Sequence, residues 1–213
     1  MSALLRYDEA RNVRLLGELS VQGRVAFALV CCQRLLPAYR RFWERARRGD
    51  PDAVEQIAAR LWRDLQGDEM PGAELTAALD RCMLAIPREA DGWDEETQAY
   101  AENASAALAY ALRTRLSGEA QEAAWAGARA IESADYFALR VPRGAGPMLF
   151  REKRDSTSHP AVQLELFRQE RDLGELAAAE REGTLRAGLE FLRARGEREA
   201  ADFFVQPRVV DGE

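Results

Sequence analysis

Apolar residues recur along this chain at the spacing that places them on one face of an α-helix. The clearest run is Val54, Ile57, Ala58, Leu61, Trp62 and Leu65. The alternation of apolar and polar residues that is typical of a half-buried strand is scarce. Because each helix with this period must bury an apolar stripe, the sequence predicts an all-α fold whose core lies between packed helices.

One predicted helix is apolar on every side, whereas the others carry a polar face. Its middle, residues 25–32, reads VAFALVCC, and Ser20 is placed to cap its start. Pro37 is expected to end or kink this helix near Leu36, after which helical sequence continues to Arg48. A helix without a polar face has to be surrounded by others. We therefore expect it to be the centre of a bundle.

Start and stop signals divide the chain into about seven or eight helices. Asp50-Pro51 and His159-Pro160 each place a capping residue before a proline at the first helical position. Ser117-Gly118 separates two alanine-rich segments, which predicts a helical hairpin whose small side chains allow close packing. Gly183-Thr184 interrupts the last helical region, and the sequence leaves open whether residues 160–195 form one helix or two.

Residues 1–213 fit a single all-helical domain, because a chain of this length supports one hydrophobic core. Two segments fall outside the helical pattern. Residues 142–158 are rich in glycine, proline and basic side chains and are predicted to form an exposed loop. Residues 206–213 are predicted to be a frayed tail.

Composition and charge limit the cellular compartments in which we expect the protein and the classes of partner that we expect it to bind. The chain has 30 Lys and Arg residues against 36 Asp and Glu, a formal net charge of -6, which argues against nucleic acid as a partner. No apolar run approaches the roughly 18 residues that cross a bilayer, and no secretory leader is evident. Three cysteines, two of them adjacent, do not indicate a disulfide framework. We expect a cytoplasmic protein with no membrane partner.

Sequence motifs of the common enzyme classes are absent. With one histidine, the chain cannot form a two-histidine metal site, and no cofactor is predicted. Three residues remain as candidates for a catalytic or binding role: Arg34, His159 and Glu165. His159 is the residue type most often used as a general base, with Asp155 or Glu165 as its nearest carboxylate partner. A helix cap before Pro160 explains His159 as well.

Two other groups of side chains suggest alternative sites. The first comprises carboxylates that would form a metal or small-molecule site if their helices packed together: Glu95, Glu102, Asp135, Glu165 and Glu170. In the second, arginines surround Phe42 and Trp43 between residues 40 and 48, and basic residues flank a glycine-rich loop between residues 140 and 154. Basic side chains interleaved with aromatic ones bind nucleic acid or other anions. Solvated helix faces and charges that complement helix ends explain both groups more simply.

Several short motifs resemble one protein family in their order and spacing. They are Phe27, Gln33-Arg34-Leu35-Leu36-Pro37-Ala38-Tyr39, Trp62, Ala85-Ile86-Pro87, Arg115-Leu116-Ser117-Gly118-Glu119, and Pro160-Ala161-Val162 with Glu165. Over about residues 20–205 the chain is similar to the domain-of-unknown-function family 416, the YjaG-like bacterial proteins. The resemblance implies a cytoplasmic, single-domain, all-α protein, and it implies no reaction, ligand or catalytic residue.

Arg34 and Glu165 stand out among the matching residues, because charges beside a buried kink or on a core-facing helix need partners. The favoured interpretation is a non-enzymatic interaction or structural protein that forms a homodimer through an apolar helical face. A carboxylate-based metal or small-molecule binder or enzyme is the first alternative. A weak nucleic-acid or anion binder that uses the arginine clusters is the second. The sequence does not decide whether the protein is an enzyme.

Overall fold

The computed structural model describes residues 4–87, 97–139 and 156–202. Eight α-helices lie in these ranges: α1 (Glu9–Gly17), α2 (Val21–Ala46), α3 (Pro51–Leu65), α4 (Gly72–Ala85), α5 (Gln98–Ser117), α6 (Ala120–Leu139), α7 (Pro160–Arg181) and α8 (Leu185–Asp202). The described residues contain no strand. The prediction of a single all-α domain of about seven or eight helices is confirmed.

Helix α2 is the centre of the bundle, as predicted. Its start is capped by the Ser20 side chain, which accepts a hydrogen bond from the Gly23 amide. Every side chain from 25 to 32 is 0% exposed, because α5 packs on α2 most extensively and α3, α6, α7 and α8 cover its remaining sides. The absence of a polar face in this segment therefore has a direct structural reason.

The predicted break at Pro37 is not a helix end. Helix α2 continues through this exposed proline and ends at Ala46, two residues before the predicted Arg48. The end is set by Arg47, which takes the left-handed conformation with a φ of 55° while its amide donates to the Trp43 carbonyl. A residue in this conformation ends a helix, and glycine is the residue that adopts it most easily.

The alanine-rich hairpin forms as predicted from helices α5 and α6. Gly118 has a φ of 75° and ends α5, the conformation in which glycine is favoured. The alanine side chains buried along α5 include Ala101, Ala104 and Ala107, all 0% exposed. These small residues let α5 lie close to both α2 and α6.

The last helical region is two helices. The His159 ring accepts from the Ala161 amide and Pro160 is the first residue of α7, as predicted. Helix α7 ends at Arg181, Gly183 takes a φ of 70°, and α8 starts at Leu185. Of the predicted loop at 142–158, only its last three residues are described, and they form a 3-10 turn. The predicted tail at 206–213 lies outside the described residues.

Helices α7 and α8 bring their charged side chains to the middle of α2. Gly196 allows α8 to approach closely, because a Cβ atom at this position would lie 2.9 Å from Val30 Cγ2 and 3.3 Å from Gln33 Cγ. The turn of α2 that follows these residues carries Arg34. None of the described helices combines the length and apolar composition that crossing a membrane requires.

Candidate functional site

Arg34 places a positive charge inside the apolar core. It follows the apolar segment 25–32 directly along α2, and its side chain is 0% exposed. Removing a charge from water is strongly unfavourable unless the charge is paired and hydrogen-bonded. Arg34 therefore needs charged partners, and the helices that cover this part of α2 have to supply them.

Two carboxylates of α7 pair with the terminal nitrogens of Arg34. Nη2 lies 2.9 Å from Glu165 Oε1, and Nη1 lies 2.8 Å from Asp172 Oδ2. Residues 165 and 172 are two helical turns apart, so their side chains leave α7 on the same face. Helix α8 adds Glu199, whose Oε2 lies 3.4 Å from Arg34 Nη1. One guanidinium thus joins three helices.

Three further arginines balance these carboxylates. Asp172 Oδ1 accepts from Arg195 Nη2 at 2.7 Å and from Arg171 Nη2 at 3.0 Å. Arg171 Nη2 also lies 2.7 Å from Glu199 Oε1. The arginine–carboxylate cluster, as we name it, comprises Arg34, Arg168, Arg171, Arg195, Glu165, Asp172, Glu175 and Glu199. Its positive and negative formal charges cancel, which makes its burial physically acceptable.

Gln169 ties the cluster to a fourth helix. Its Nε2 donates to Glu165 Oε1 at 2.9 Å and to the Gly127 carbonyl on α6 at 3.0 Å. A Cβ atom at position 127 would lie 3.0 Å from Gln169 Oε1 and 3.2 Å from Phe27 Cε1. Glycine is therefore the residue that lets α6 come close enough for this bond. The orientation of Glu165 depends on both Arg34 and Gln169.

The cluster keeps Arg34 charged, and burial keeps the neighbouring Cys31 protonated. Burial alone lowers the pKa of the Arg34 guanidinium, but the negative charges of Glu165 and Asp172 raise that pKa well above its ordinary value. Cys31 Sγ lies 3.4 Å from Arg34 Nη2, and burial raises the pKa of this thiol well above its ordinary value. Because the thiolate is the reactive form, Cys31 is not placed as a nucleophile.

The role that these ion pairs suit is a structural one, in which they stabilise the packing of the helices that carry them. Removing one partner of a buried ion pair typically costs about 3–5 kcal/mol, because the other charge stays buried without compensation. Each carboxylate of the cluster is bonded to arginine rather than grouped with other metal-ligating side chains. Accordingly, the described residues include no group of three or more His, Cys, Asp or Glu side chains arranged to hold a metal ion.

His159 lies apart from these contacts. Its Nδ1 accepts from the Ala161 amide at 3.2 Å, and its ring meets Phe137 edge to face with centroids 6.2 Å apart. Glu165, proposed from the sequence as its partner, is bonded to Arg34 instead. The three candidate residues are therefore divided: Arg34 and Glu165 are in direct contact, and His159 caps the start of α7.

The other carboxylates considered from the sequence have separate partners. Glu102 accepts from Gln98, Asp135 accepts from Ser156, and Glu170 pairs with Arg11 at 2.9 Å. Glu95 lies outside the described residues. Glu102, Asp135, Glu165 and Glu170 do not converge on one site, because helix packing turns each of these side chains toward a different neighbour.

The aromatic-flanked arginines at 40–48 are engaged within the protein. Arg40 Nε lies 2.8 Å from Glu55 Oε1, and its Nη2 lies 2.7 Å from Asp52 Oδ1. The Arg47 guanidinium stands over the Trp43 ring, 4.7 Å from its centroid. The second basic segment, residues 140–154, lies outside the described residues. These contacts favour the simpler explanation, in which the arginines of the first group stabilise helix ends and neighbouring helices.

Sequence reasoning missed Asp172, Arg195 and Glu199. One signal was present for Asp172, which follows Glu165 by two turns on a core-facing helix. The spacing of Arg195 and Glu199 places them one turn apart on α8, but nothing local shows that α8 folds back against α7. Pairing across such a turn becomes visible only once the two helices are placed.

The comparisons with known proteins agree with this architecture. A crystal structure of a DUF416 family protein from Shewanella baltica OS155 is similar to this chain, with a TM-score of 0.68 and 21% sequence identity. The similarity covers 86% of this chain and 93% of that one. No curated protein matches the chain. At this identity the crystal structure supports the fold alone.

The family model described as "Protein of unknown function (DUF416)" matches residues 12–193. This range includes α2 with Arg34, all of α7 with Glu165 and Asp172, and the first half of α8. The match therefore extends over most of the chain and over most helices that build the arginine–carboxylate cluster. The chain belongs to the DUF416 family.

Proposed function

We propose that this protein is a non-enzymatic interaction or structural protein of the cytoplasm, and that it forms a homodimer through an apolar helical face. The observation that carries the proposal is the burial of Arg34, whose side chain is 0% exposed and whose terminal nitrogens are bonded to Glu165 and Asp172. A catalytic residue must reach a substrate. Arg34 instead holds α2, α7 and α8 together.

Exposed apolar side chains give the proposal its second support. Five of them lie on the outside of α4, α7 and α8: Met83, Leu84, Leu164, Phe167 and Phe191, between 45% and 75% exposed. Leu164 and Phe167 lie one turn apart on α7, and contiguous exposed apolar residues mark surfaces that bind other proteins. Arg34 and Glu165 thus lie inside the fold, and the apolar residues available for contact lie outside it.

Sedimentation equilibrium of the full chain tests this proposal. We expect a reversible monomer–dimer equilibrium, and elemental analysis of the same untagged sample is expected to find no stoichiometric metal. Stoichiometric Mg, Mn, Fe or Zn would favour the carboxylate-based binder or enzyme instead. A strictly monomeric protein across the concentration range would overturn the homodimer.

Binding of nucleic acid is the remaining alternative, and it has its own test. Such binding depends on phosphate contacts and weakens steeply as salt is added. We expect the protein not to be retained on heparin at low salt, because Arg40 and Arg47 are engaged with neighbouring side chains. Salt-sensitive retention that is lost in an Arg41→Glu/Arg45→Glu variant would favour the anion binder.

A further inference from the structure

One face of α7 is exposed or half-buried along the length of the helix. Six residues form this face, which we call the α7 seam: Pro160, Leu164, Phe167, Arg171, Gly174 and Ala178. Leu164 is 45% exposed and Phe167 is 55% exposed. Pro160 and Gly174 are exposed as well, and Arg171 and Ala178 are half-buried. The buried side of the helix carries Glu165 and Asp172, and Arg171 connects the seam to the arginine–carboxylate cluster.

The spacing of the α7 seam is that of a coiled-coil seam, in which contacts recur alternately after three and four residues. Here the intervals are four, three, four, three and four, so the pattern is the same from either end and is centred on position 169. Two copies of α7 that cross antiparallel at this level would bring together Pro160 with Ala178, Leu164 with Gly174, and Phe167 with Arg171 of the second copy.

The pairs produced by this symmetry are complementary in size. In the two outer pairs a larger side chain of the first half, Pro160 or Leu164, faces a small residue of the second half, Ala178 or Gly174. A Cβ atom at Gly174 would meet nothing within 4 Å, so the surface there is open. Leu164 of a second copy fits over this position, and the same contact is made twice because a two-fold interface uses one patch on both subunits.

The pairs are also complementary in charge. The Arg171 side chain is 25% exposed while its Nη2 is bonded to Asp172 and Glu199, so a Phe167 ring can cover the guanidinium as in a cation–π contact. Beside the crossing point lies the half-exposed pair of Arg11 and Glu170, 2.9 Å apart. The two-fold operation places the same pair of the second copy at nearly the same level, because residue 170 lies one position from the centre of the seam.

From this geometry we infer that the α7 seam is the contact surface for a second, antiparallel copy of this chain. The inference rests on the proposed homodimer and names the surface that forms it. The seam is about 27 Å long, from 18 residues at 1.5 Å each. A contact along one helix falls at the small end of specific interfaces, below about 1,200 Å² in total. The dimer is accordingly weak and reversible.

Sedimentation equilibrium of matched variants tests which surface is used. Phe167→Asp and Leu164→Asp place a charge in the seam, and each is expected to raise the dimer dissociation constant at least ~10-fold. Leu84→Asp is the control, because Leu84 is 75% exposed on α4 and lies off the seam. Wild-type protein and Leu84→Asp are expected to dimerise equally.

Cysteine crosslinking tests the antiparallel register. Leu164→Cys protein is mixed with Gly174→Cys protein and oxidised with oxidised glutathione, while the native cysteines stay buried. The mixture is expected to give a disulfide-linked dimer. Either protein alone is expected to give little, because its two cysteines would lie roughly 15 Å apart along the seam, ten residues at 1.5 Å each.

The possible outcomes distinguish a failure of the α7 seam from a failure of the proposed homodimer. A wild-type dimer that Phe167→Asp and Leu164→Asp leave intact would overturn the seam while keeping the homodimer. Efficient crosslinking of Leu164→Cys protein with itself would overturn the antiparallel arrangement. A wild-type chain that stays monomeric would overturn both. Loss of the dimer in both seam variants, with mixed crosslinking, would support the inference.

Discussion

Replacing Arg34 by methionine should destabilise this protein more than any substitution of a surface arginine. Methionine keeps much of the side-chain length but removes the charge that compensates Glu165, which is 1% exposed. Asp172 retains Arg171 and Arg195, whereas Glu165 retains only the amide of Gln169. Most of the loss therefore comes from Glu165, as an uncompensated buried carboxylate.

The expected loss is about 3–5 kcal/mol, the usual cost of removing one partner of a buried ion pair. This is a large part of the roughly 5–15 kcal/mol by which domains are stable. Arg40→Met is the matched control on the same helix, since Arg40 pairs with Glu55 and Asp52 but is 37% exposed. Exposed ion pairs contribute about 0–1 kcal/mol.

Urea unfolding followed by circular dichroism measures both variants. Should Arg34→Met alone fail to fold, Arg34→Met combined with Glu165→Met is expected to recover much of the stability, because no unpaired charge is left between the two positions. A loss below about 1 kcal/mol for Arg34→Met would refute the reasoning. So would a double variant that is less stable than the single one.

Three further predictions concern packing, ionisation and capping. Gly196→Ala is expected to lower the free energy of unfolding by about 1–3 kcal/mol, because its Cβ would lie 2.9 Å from Val30 Cγ2. Gly174→Ala has open space around it and should raise the free energy of unfolding by about 0.5–1 kcal/mol in the same urea experiment. Burial raises the pKa of the Cys82 thiol to about 12 in the folded state, which is above the pKa of a thiol in the unfolded chain. The contribution of the protonated Cys82 to the free energy of unfolding is therefore complete below the ordinary thiol pKa, and it falls as pH rises toward 12. Thermal unfolding between pH 8 and 11 measures that fall, and a Cys82→Ala variant should show less of it. His159→Ala should cost about 1 kcal/mol by loss of the α7 cap, whereas His159→Asp should keep it; equal stabilities would contradict the capping role.

Local signals in the sequence determined much of the fold. Asp50 caps α3 ahead of Pro51, and Gly118 ends α5 in the left-handed conformation. Each of these features depends on a few neighbouring residues, which is why it could be predicted. Helix α2 ends two residues earlier than predicted, because Arg47 already adopts the left-handed conformation that stops the helix.

The arginine–carboxylate cluster depends on contacts between distant parts of the chain. The sequence indicated that Arg34 and Glu165 need partners, and the structure brings them within 2.9 Å of each other. It could not indicate Arg195 and Glu199, because their position follows from the reversal of the chain at Gly183. The division of residues 160–195 into two helices therefore also determines which side chains pair with Arg34.

Native mass spectrometry of the full chain, purified under gentle conditions, tests the central claim most directly. The claim is that buried charges around Arg34 hold the fold together and that activity lies in contacts made by the protein surface. We expect a mixture of monomers and dimers whose masses match the bare chain, with the dimer lost in Phe167→Asp. A small molecule or metal ion retained in stoichiometric amount, and released by Arg34→Met/Glu165→Met, would contradict it.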